Sequence, residues 1–152
     1  FEALNGTSTY GVGDYAATQG VYRMKLDSDG DYIMVKTDGQ PGTVTIGVKM
    51  VGGSDTSTIT IQGSADGETF TDIEELTISG AQNDTLTLET TNAFDANDRY
   101  VRMLFTRGSN VGVGPISIAK GTAPSINVAP DTFDLEAVGE LNGMHVASGF
   151  VT

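Results

Sequence analysis

The chain has 152 residues, of which 20 are acidic and 8 are basic, so that its formal net charge is −12. This excess of negative charge argues against nucleic acid and anionic membrane surfaces as partners, because both carry phosphates that would repel it. No apolar run approaches the roughly 18 residues of a membrane-spanning helix, so we expect no membrane insertion. The length predicts one domain with a core that needs no disulfides.

Two absences exclude several kinds of active site. The chain contains no cysteine, which rules out disulfides, thiolate metal sites and cysteine nucleophiles. It contains one histidine, His145, which cannot supply the two imidazoles of a zinc-protease helix. No nucleophile elbow is present to complete a Ser-His-Asp triad with it. The sequence therefore predicts a protein that is not an enzyme.

The apolar residues follow the period of two that is typical of half-buried strands. The pattern is clearest at 43–51, and segment 100–106 is apolar on both faces, as expected of a central strand. We predict strands at 8–12, 21–26, 32–36, 43–51, 58–62, 70–78 with a bulge near 71–74, 86–88, 100–106 and 115–119, and one helical turn at 94–98. Short strands separated by Gly and Asp turns predict two packed antiparallel sheets.

The predicted core residues are the inward positions of these strands: Val44, Ile46, Val48, Ile59, Ile61, Leu86, Leu88, Met103 and Phe105. A change in composition at Gly121 begins a second region, residues 122–152. This region has too many apolar residues for a free linker and too few for a core of its own. We expect it to add strands to the first domain, to mediate self-association, or to precede a domain that is missing.

Two oxygen-rich segments are candidate structural calcium sites, since Ca²⁺ prefers carboxylate and amide oxygens. The candidate ligands are Asp27, Asp29 and Asp31 in the first segment and Asp95, Asn97 and Asp98 in the second. The first segment does not have the spacing of an EF-hand. The alternative is that both are ordinary polar turns with local side-chain to backbone hydrogen bonds.

Four residues near the predicted central strand are candidate ligand-binding residues. Arg99, Tyr100 and Arg102 combine guanidinium groups with an aromatic ring, a set that can hold a sugar or a carboxylate. Asn110 lies in the glycine-rich segment 108–114, which we expect at the rim of any site. That segment is not a phosphate loop, because no Lys-Ser, Lys-Thr or helix follows it. The alternative is that the arginines pair with surface acids.

Three segments resemble a known family. They read ITIQGSADGETFTDI at 59–73, RYVRMLFTRGSNVGVGPISIA at 99–119 and, less closely, YRMKLDSDGDYIMV at 22–35. They are similar to the jelly-roll modules, of galactose-binding-like and carbohydrate-binding-module type, in secreted multidomain proteins of Bacteroidetes-type bacteria. Residues 125–140 resemble the opening of the immunoglobulin-like modules that often follow. The chain departs from typical sugar binders in having no tryptophan.

The resemblance implies an all-β, antiparallel β-sandwich of jelly-roll type at residues 1–121. Residues 122–152 would then be a linker with extra strands or the start of an immunoglobulin-like module. The implied function is that of a non-catalytic module of a secreted or cell-surface protein that binds carbohydrate or another surface, with structural Ca²⁺ as the implied cofactor. The alternative is an assembly module, such as a spacer, filament or virion-type subunit, whose partner is another protein.

Overall fold

The computed structural model describes residues 20–122 and, before them, the backbone of two short strands at 3–5 and 8–9. The described residues form ten strands and no helix. In chain order these are β1 (Ala3–Asn5), β2 (Ser8–Thr9), β3 (Met24–Leu26), β4 (Tyr32–Lys36), β5 (Pro41–Met50), β6 (Ser57–Ser64), β7 (Thr71–Ile78), β8 (Thr85–Glu89), β9 (Tyr100–Thr106) and β10 (Val111–Lys120). A membrane-spanning helix is therefore also absent from this part of the chain. The expectations for residues 123–152 lie outside the described residues.

The strands form two five-stranded sheets. Sheet A has the order β1-β4-β9-β6-β7, and sheet B has the order β2-β3-β10-β5-β8. Every neighbouring pair is antiparallel. The predicted antiparallel β-sandwich is confirmed, and β9, the segment that is apolar on both faces, is the central strand of sheet A.

The core lies between the sheets and uses the residues that the alternation predicts. Seven of the nine predicted core residues are buried, each with 1 % of its surface exposed or less. Leu86 and Leu88 differ, since they are only partly buried against this core. The reason is their position on β8, an edge strand of sheet B, which has a neighbour on one side only.

Only the strands predicted at 32–36 and 100–106 keep their bounds, the strand predicted at 8–12 corresponds to β2 at Ser8–Thr9, and three further differences have a clear cause. The strand predicted at 21–26 contains only Met24–Leu26, because its partner β10 contributes just three paired residues to it, and Val21 is 65 % exposed. The closing strand begins earlier than predicted, at Val111, because 111–113 pair with β3 and β5 together. The helical turn predicted at 94–98 is wrong, because this stretch contains no helix and forms a four-residue turn in which the Asp98 amide donates to the Asp95 carbonyl at 3.0 Å.

The predicted bulge in β7 is present. Ile61 pairs with Glu74, whereas the next residue, Gln62, pairs with Asp72, so that Ile73 is the extra residue. The Glu74 carboxylate accepts hydrogen bonds from the amides of Thr91 at 2.7 Å and Asn92 at 2.9 Å. These bonds fasten the segment that follows β8 to the outer strand of the opposite sheet, and they lower the pKa of Glu74.

Phe105→Ala is expected to reduce the free energy of unfolding by about 3–5 kcal/mol, the usual cost of truncating a buried aromatic residue. Phe105 is 1 % exposed at the centre of the sandwich. Urea unfolding followed by circular dichroism would measure the loss, and Phe105→Leu, which leaves a smaller cavity, should lose less. Equal stability of Phe105→Ala and the parent protein would contradict this description of the core.

Glu74→Gln is expected to lower the melting temperature at pH 7 and to have little effect in acid. A carboxylate whose pKa is lowered by folding contributes stability above its unfolded pKa and loses it as the pH falls through the lower folded value. The difference between variant and parent should therefore shrink between pH 7 and about pH 3. The control is Glu75→Gln, one residue along the same strand. A difference that stays constant over this range would contradict the assignment.

Candidate functional site

The outer face of sheet A carries a cluster of aromatic and charged side chains. Successive residues of a strand point to opposite faces, so β9 buries Val101, Met103 and Phe105 and turns Tyr100, Arg102 and Leu104 outward. Strands β4 and β6 lie on either side of β9, so each outward residue of β9 stands between one residue of β4 and one of β6. The three rows, each given in the order β4, β9, β6, are Lys36, Tyr100 and Ser64; Met34, Arg102 and Gln62; and Tyr32, Leu104 and Thr60. We call this surface the A face.

Arg102 lies at the centre of the A face and is held by three neighbours. Its guanidinium carbon is 3.9 Å from the centre of the Phe70 ring and 5.9 Å from the centre of the Tyr32 ring. Its Nε donates a hydrogen bond to Gln62 Oε1 at 2.6 Å. The amide nitrogen of Gln62 donates in turn to Asp72 Oδ1, also at 2.6 Å. The guanidinium therefore has one orientation, set by two rings and a hydrogen-bonded amide.

Tyr100 packs against the turn that follows β6. A Cβ atom added to Gly67 would lie 3.1 Å from carbons of the Tyr100 ring, so the backbone of the turn lies directly on that ring. Gly67 has a φ of +81°, which glycine adopts without strain. The Nζ of Lys36 lies 5.3 Å from the centre of the same ring, within the range of a cation–π contact.

The turn beside Tyr100 is fixed by the carboxylate of Asp66. Asp66 Oδ1 accepts hydrogen bonds from the amides of Glu68 and Thr69, both at 2.8 Å, and from Ser64 Oγ at 2.9 Å. These bonds favour the ionised form and lower the pKa of Asp66 to about 2. The carboxylate is therefore ionised at neutral pH, the form that accepts these hydrogen bonds.

The structure brings together two of the four predicted ligand-binding residues, Tyr100 and Arg102. Arg99 is directed at the preceding turn, where its Nη1 donates to the carbonyls of Ala96 at 3.0 Å and Asp98 at 2.6 Å. Asn110 lies beyond the other end of β9, where its side chain accepts a hydrogen bond from Arg107 Nε at 3.0 Å. Segment 108–114, whose residues 111–114 belong to β10 of sheet B, is therefore not part of the A face.

The sequence analysis missed Tyr32, Phe70 and Gln62. Tyr32 and Arg102 stand at outward positions of two neighbouring strands, but their proximity depends on which residue of β4 faces which residue of β9. The place of Phe70 depends on the bulge that follows it in β7. The one signal in the sequence is that Tyr32, Met34 and Lys36 occupy alternate positions of one predicted strand and therefore lie on the same face of its sheet.

The first candidate metal segment has its carboxylates engaged in separate interactions. Asp31 Oδ2 accepts hydrogen bonds from the amides of Asp27 at 2.9 Å and Ser28 at 3.0 Å. Asp27 forms a salt bridge with Lys25, whose hydrogen bond lowers the pKa of Asp27. Asp29 Oδ1 accepts from the amide of Arg107 at 2.6 Å. This arrangement closes the turn between β3 and β4 and joins it to the end of β9.

The second candidate metal segment is centred on a buried carboxylate. Asp98 is 6 % exposed, and burial raises its pKa. Its Oδ2 accepts a hydrogen bond from the amide of Asp95 at 3.0 Å and lies against Gly63, where a side chain would collide with it. Over the described residues, no three Asp, Glu, His or Cys side chains are close enough to share a metal ion.

A groove adjoins the A face at Lys36. It has a volume of about 520 Å³ and is lined by residues 36–40 of the turn between β4 and β5 and by residues 118–120 at the end of β10. Gln40 stands at its edge, donating from Nε2 to the Phe94 carbonyl at 2.9 Å while its Oε1 is buried without a partner. The groove shares Lys36 with the A face, and its other wall is the end of β10 in sheet B.

No protein-family model and no curated protein matches this sequence. Solved structures do match its fold. CsCBM6-3 from Clostridium stercorarium, solved in complex with cellobiose, has a TM-score of 0.53 and 13 % identity, and the match covers 80 % of this chain and 88 % of that chain. A second family 6 carbohydrate-binding module has a TM-score of 0.51 and 15 % identity, with 80 % and 88 % covered.

A third structure comes from another family of modules. The carbohydrate-binding module CBM36, solved in complex with calcium and xylotriose, has a TM-score of 0.50 and 11 % identity, with 77 % of this chain and 92 % of that chain covered. At sequence identities this low, the similarity shows a shared fold and nothing more. The chain has the two-sheet, antiparallel jelly-roll architecture of carbohydrate-binding modules.

Proposed function

We propose that this chain is a non-catalytic carbohydrate-binding module of a secreted or cell-surface protein, and that the A face is its binding surface. The observation that carries the proposal is the grouping of Tyr32, Phe70 and Tyr100 around Arg102 on one outer sheet face. The multidomain bacterial proteins that the sequence resembles give the proposed setting, with the module outside the cell.

The chemistry of a sugar ring fits this surface. A pyranose has C–H groups that pack on an aromatic ring and hydroxyl groups at its edge that need hydrogen-bond partners. The rings of Tyr32 and Phe70 are both partly exposed, and polar groups of Arg102 and Asp72 lie beside them. The chain has no tryptophan, so in this proposal tyrosine and phenylalanine provide the apolar platform.

The fold supports the same function. Modules with this architecture have been solved with cellobiose and with xylotriose bound. In this chain a groove lies next to Lys36 at one end of the A face, and a concave surface there offers room for a further sugar residue. Binding by a preformed sheet face also requires no catalytic group.

Tyr32→Ala is expected to weaken polysaccharide binding about tenfold or more, since truncating a central aromatic contact commonly costs more than 1 kcal/mol. Affinity electrophoresis through gels that contain plant, algal or bacterial polysaccharides would identify the ligand and measure the change. Tyr22→Ala is the matched control, because Tyr22 packs on Gly47 and Gly114 of sheet B. Retardation of the parent protein by none of these polysaccharides would favour the assembly module instead.

We further propose that a structural calcium ion binds at the segment of Asp95, Asn97 and Asp98. Asp98 is a buried carboxylate whose charge a cation would neutralise. The CBM36 structure, which shares the fold, is a complex with calcium. The turn at 27–31 is less suitable, because Lys25 already neutralises the charge of Asp27 there.

Calcium is expected to raise the melting temperature by several degrees and EDTA to reverse the increase, since a ligand that binds only the folded state stabilises it. Differential scanning fluorimetry at millimolar Ca²⁺ would measure both. Asp98→Asn should abolish the response, whereas Asp29→Asn should retain it. An unchanged melting temperature in the parent protein would show that both segments are ordinary acidic turns.

A further inference from the structure

We propose that the sugar recognised by the A face carries a carboxylate, as a uronic acid does, and that Arg102 receives it. This inference rests on the proposed function and makes it more specific. Its basis is a guanidinium group that is oriented by its neighbours and yet has no acid paired with it.

Arg102 forms no salt bridge with any residue in the described part of the chain. Arg23, Arg99 and Arg107 also form no salt bridge among the described residues, and Arg102 differs from them in lying against two aromatic rings on an open sheet face. Asp72 is the nearby acid, but its Oδ1 accepts from the Gln62 amide at 2.6 Å. The neutral Gln62 side chain stands between Asp72 and Arg102 and hydrogen bonds to both.

The contacts of Arg102 leave a particular edge of the guanidinium open. Its Nε–H is used by Gln62. Phe70 stacks at 3.9 Å on the flat face of the group, which has no N–H to donate. The remaining donors are the N–H groups of Nη1 and Nη2, which lie in the plane of the group and have no acceptor among the described residues.

A carboxylate is the ligand group that fits this edge. Its two oxygens lie in a plane and match the two terminal nitrogens of arginine, giving two parallel charge-assisted hydrogen bonds. Lys36, at the next outward position of β4 beyond Met34, adds positive charge on the same face. The ring of the same sugar would pack on Tyr32 or Phe70. A neutral sugar would leave the charge of Arg102 without a counterion.

The decisive comparison uses pairs of oligosaccharides that differ only in the carboxylate. Oligomers of galacturonic, glucuronic and mannuronic acid would each be tested beside their carboxyl-reduced counterparts by isothermal titration calorimetry. The measurement belongs at about 0.15 M salt, where the Debye length of about 8 Å screens the net negative charge of the protein. We expect at least one acidic oligomer to bind roughly 10- to 100-fold more tightly than its reduced form.

Variants locate the effect at Arg102. Arg102→Gln should remove the preference for the acidic oligomer, and Arg102→Lys should retain only part of it, because a lysine cannot make the bidentate contact. Arg23→Gln changes the net charge equally and should bind as the parent does. Should the Arg102 variants fold poorly, Met34→Glu tests the same idea, since it places a competing carboxylate beside Arg102 in the register of β4 and β9.

The outcomes separate this inference from the function on which it rests. Equal affinity for acidic and reduced oligomers, or retention of the preference in Arg102→Gln, would overturn the carboxylate and leave carbohydrate binding intact. Binding of neutral polysaccharides alone would do the same. Binding of no saccharide, acidic or neutral, would overturn the proposed function itself.

Discussion

The alternation of residues along β9 is the constraint on which the rest of the molecule depends. Its inward residues Val101, Met103 and Phe105 are almost fully buried and join sheet A to the core. Its outward residues Tyr100 and Arg102 form the centre of the A face. Because a strand has a period of two, a shift of one residue in the register of β9 would expose the core and bury the arginine together. The core and the composition of the A face are thus specified by the same strand pairing.

The bulge at Ile73 is the second feature that the A face requires. In an uninterrupted ladder Gln62 would pair with Ile73, whereas the bulge places Asp72 opposite Gln62. Asp72 can then accept the Gln62 amide, and the Gln62 carbonyl is directed at Arg102. On the other side of the bulge, Glu74 reaches the amides of Thr91 and Asn92. One extra residue in an edge strand thereby orients the arginine and joins the two sheets at their edge.

Within residues 20–122, more than half of the acidic side chains have local partners. Asp31 and Asp66 accept backbone amides in their own turns, and Asp29 does so across to the end of β9. Such bonds keep acids in place without using the basic side chains. Arg102 is left with two rings and one amide carbonyl as its neighbours, on a chain whose net charge is −12. An arginine without an ion pair interacts more favourably with an external anion than a surface arginine that already has an acidic partner.

The sequence alone determined the fold class, the bulge in β7 and most of the core, because hydrophobic period and turn residues act over a few neighbouring positions. It also selected Tyr100 and Arg102, which are two residues apart on one strand and so must share a face. The tertiary structure decided the rest. Only the pairing of β9 with β4 and β6 brings Tyr32 and Gln62 to Arg102, and only the register separates Asn110 from them. Contacts between residues 30 to 70 positions apart depend on strand order and register, and these are set by the packing of the whole sandwich rather than by any local pattern.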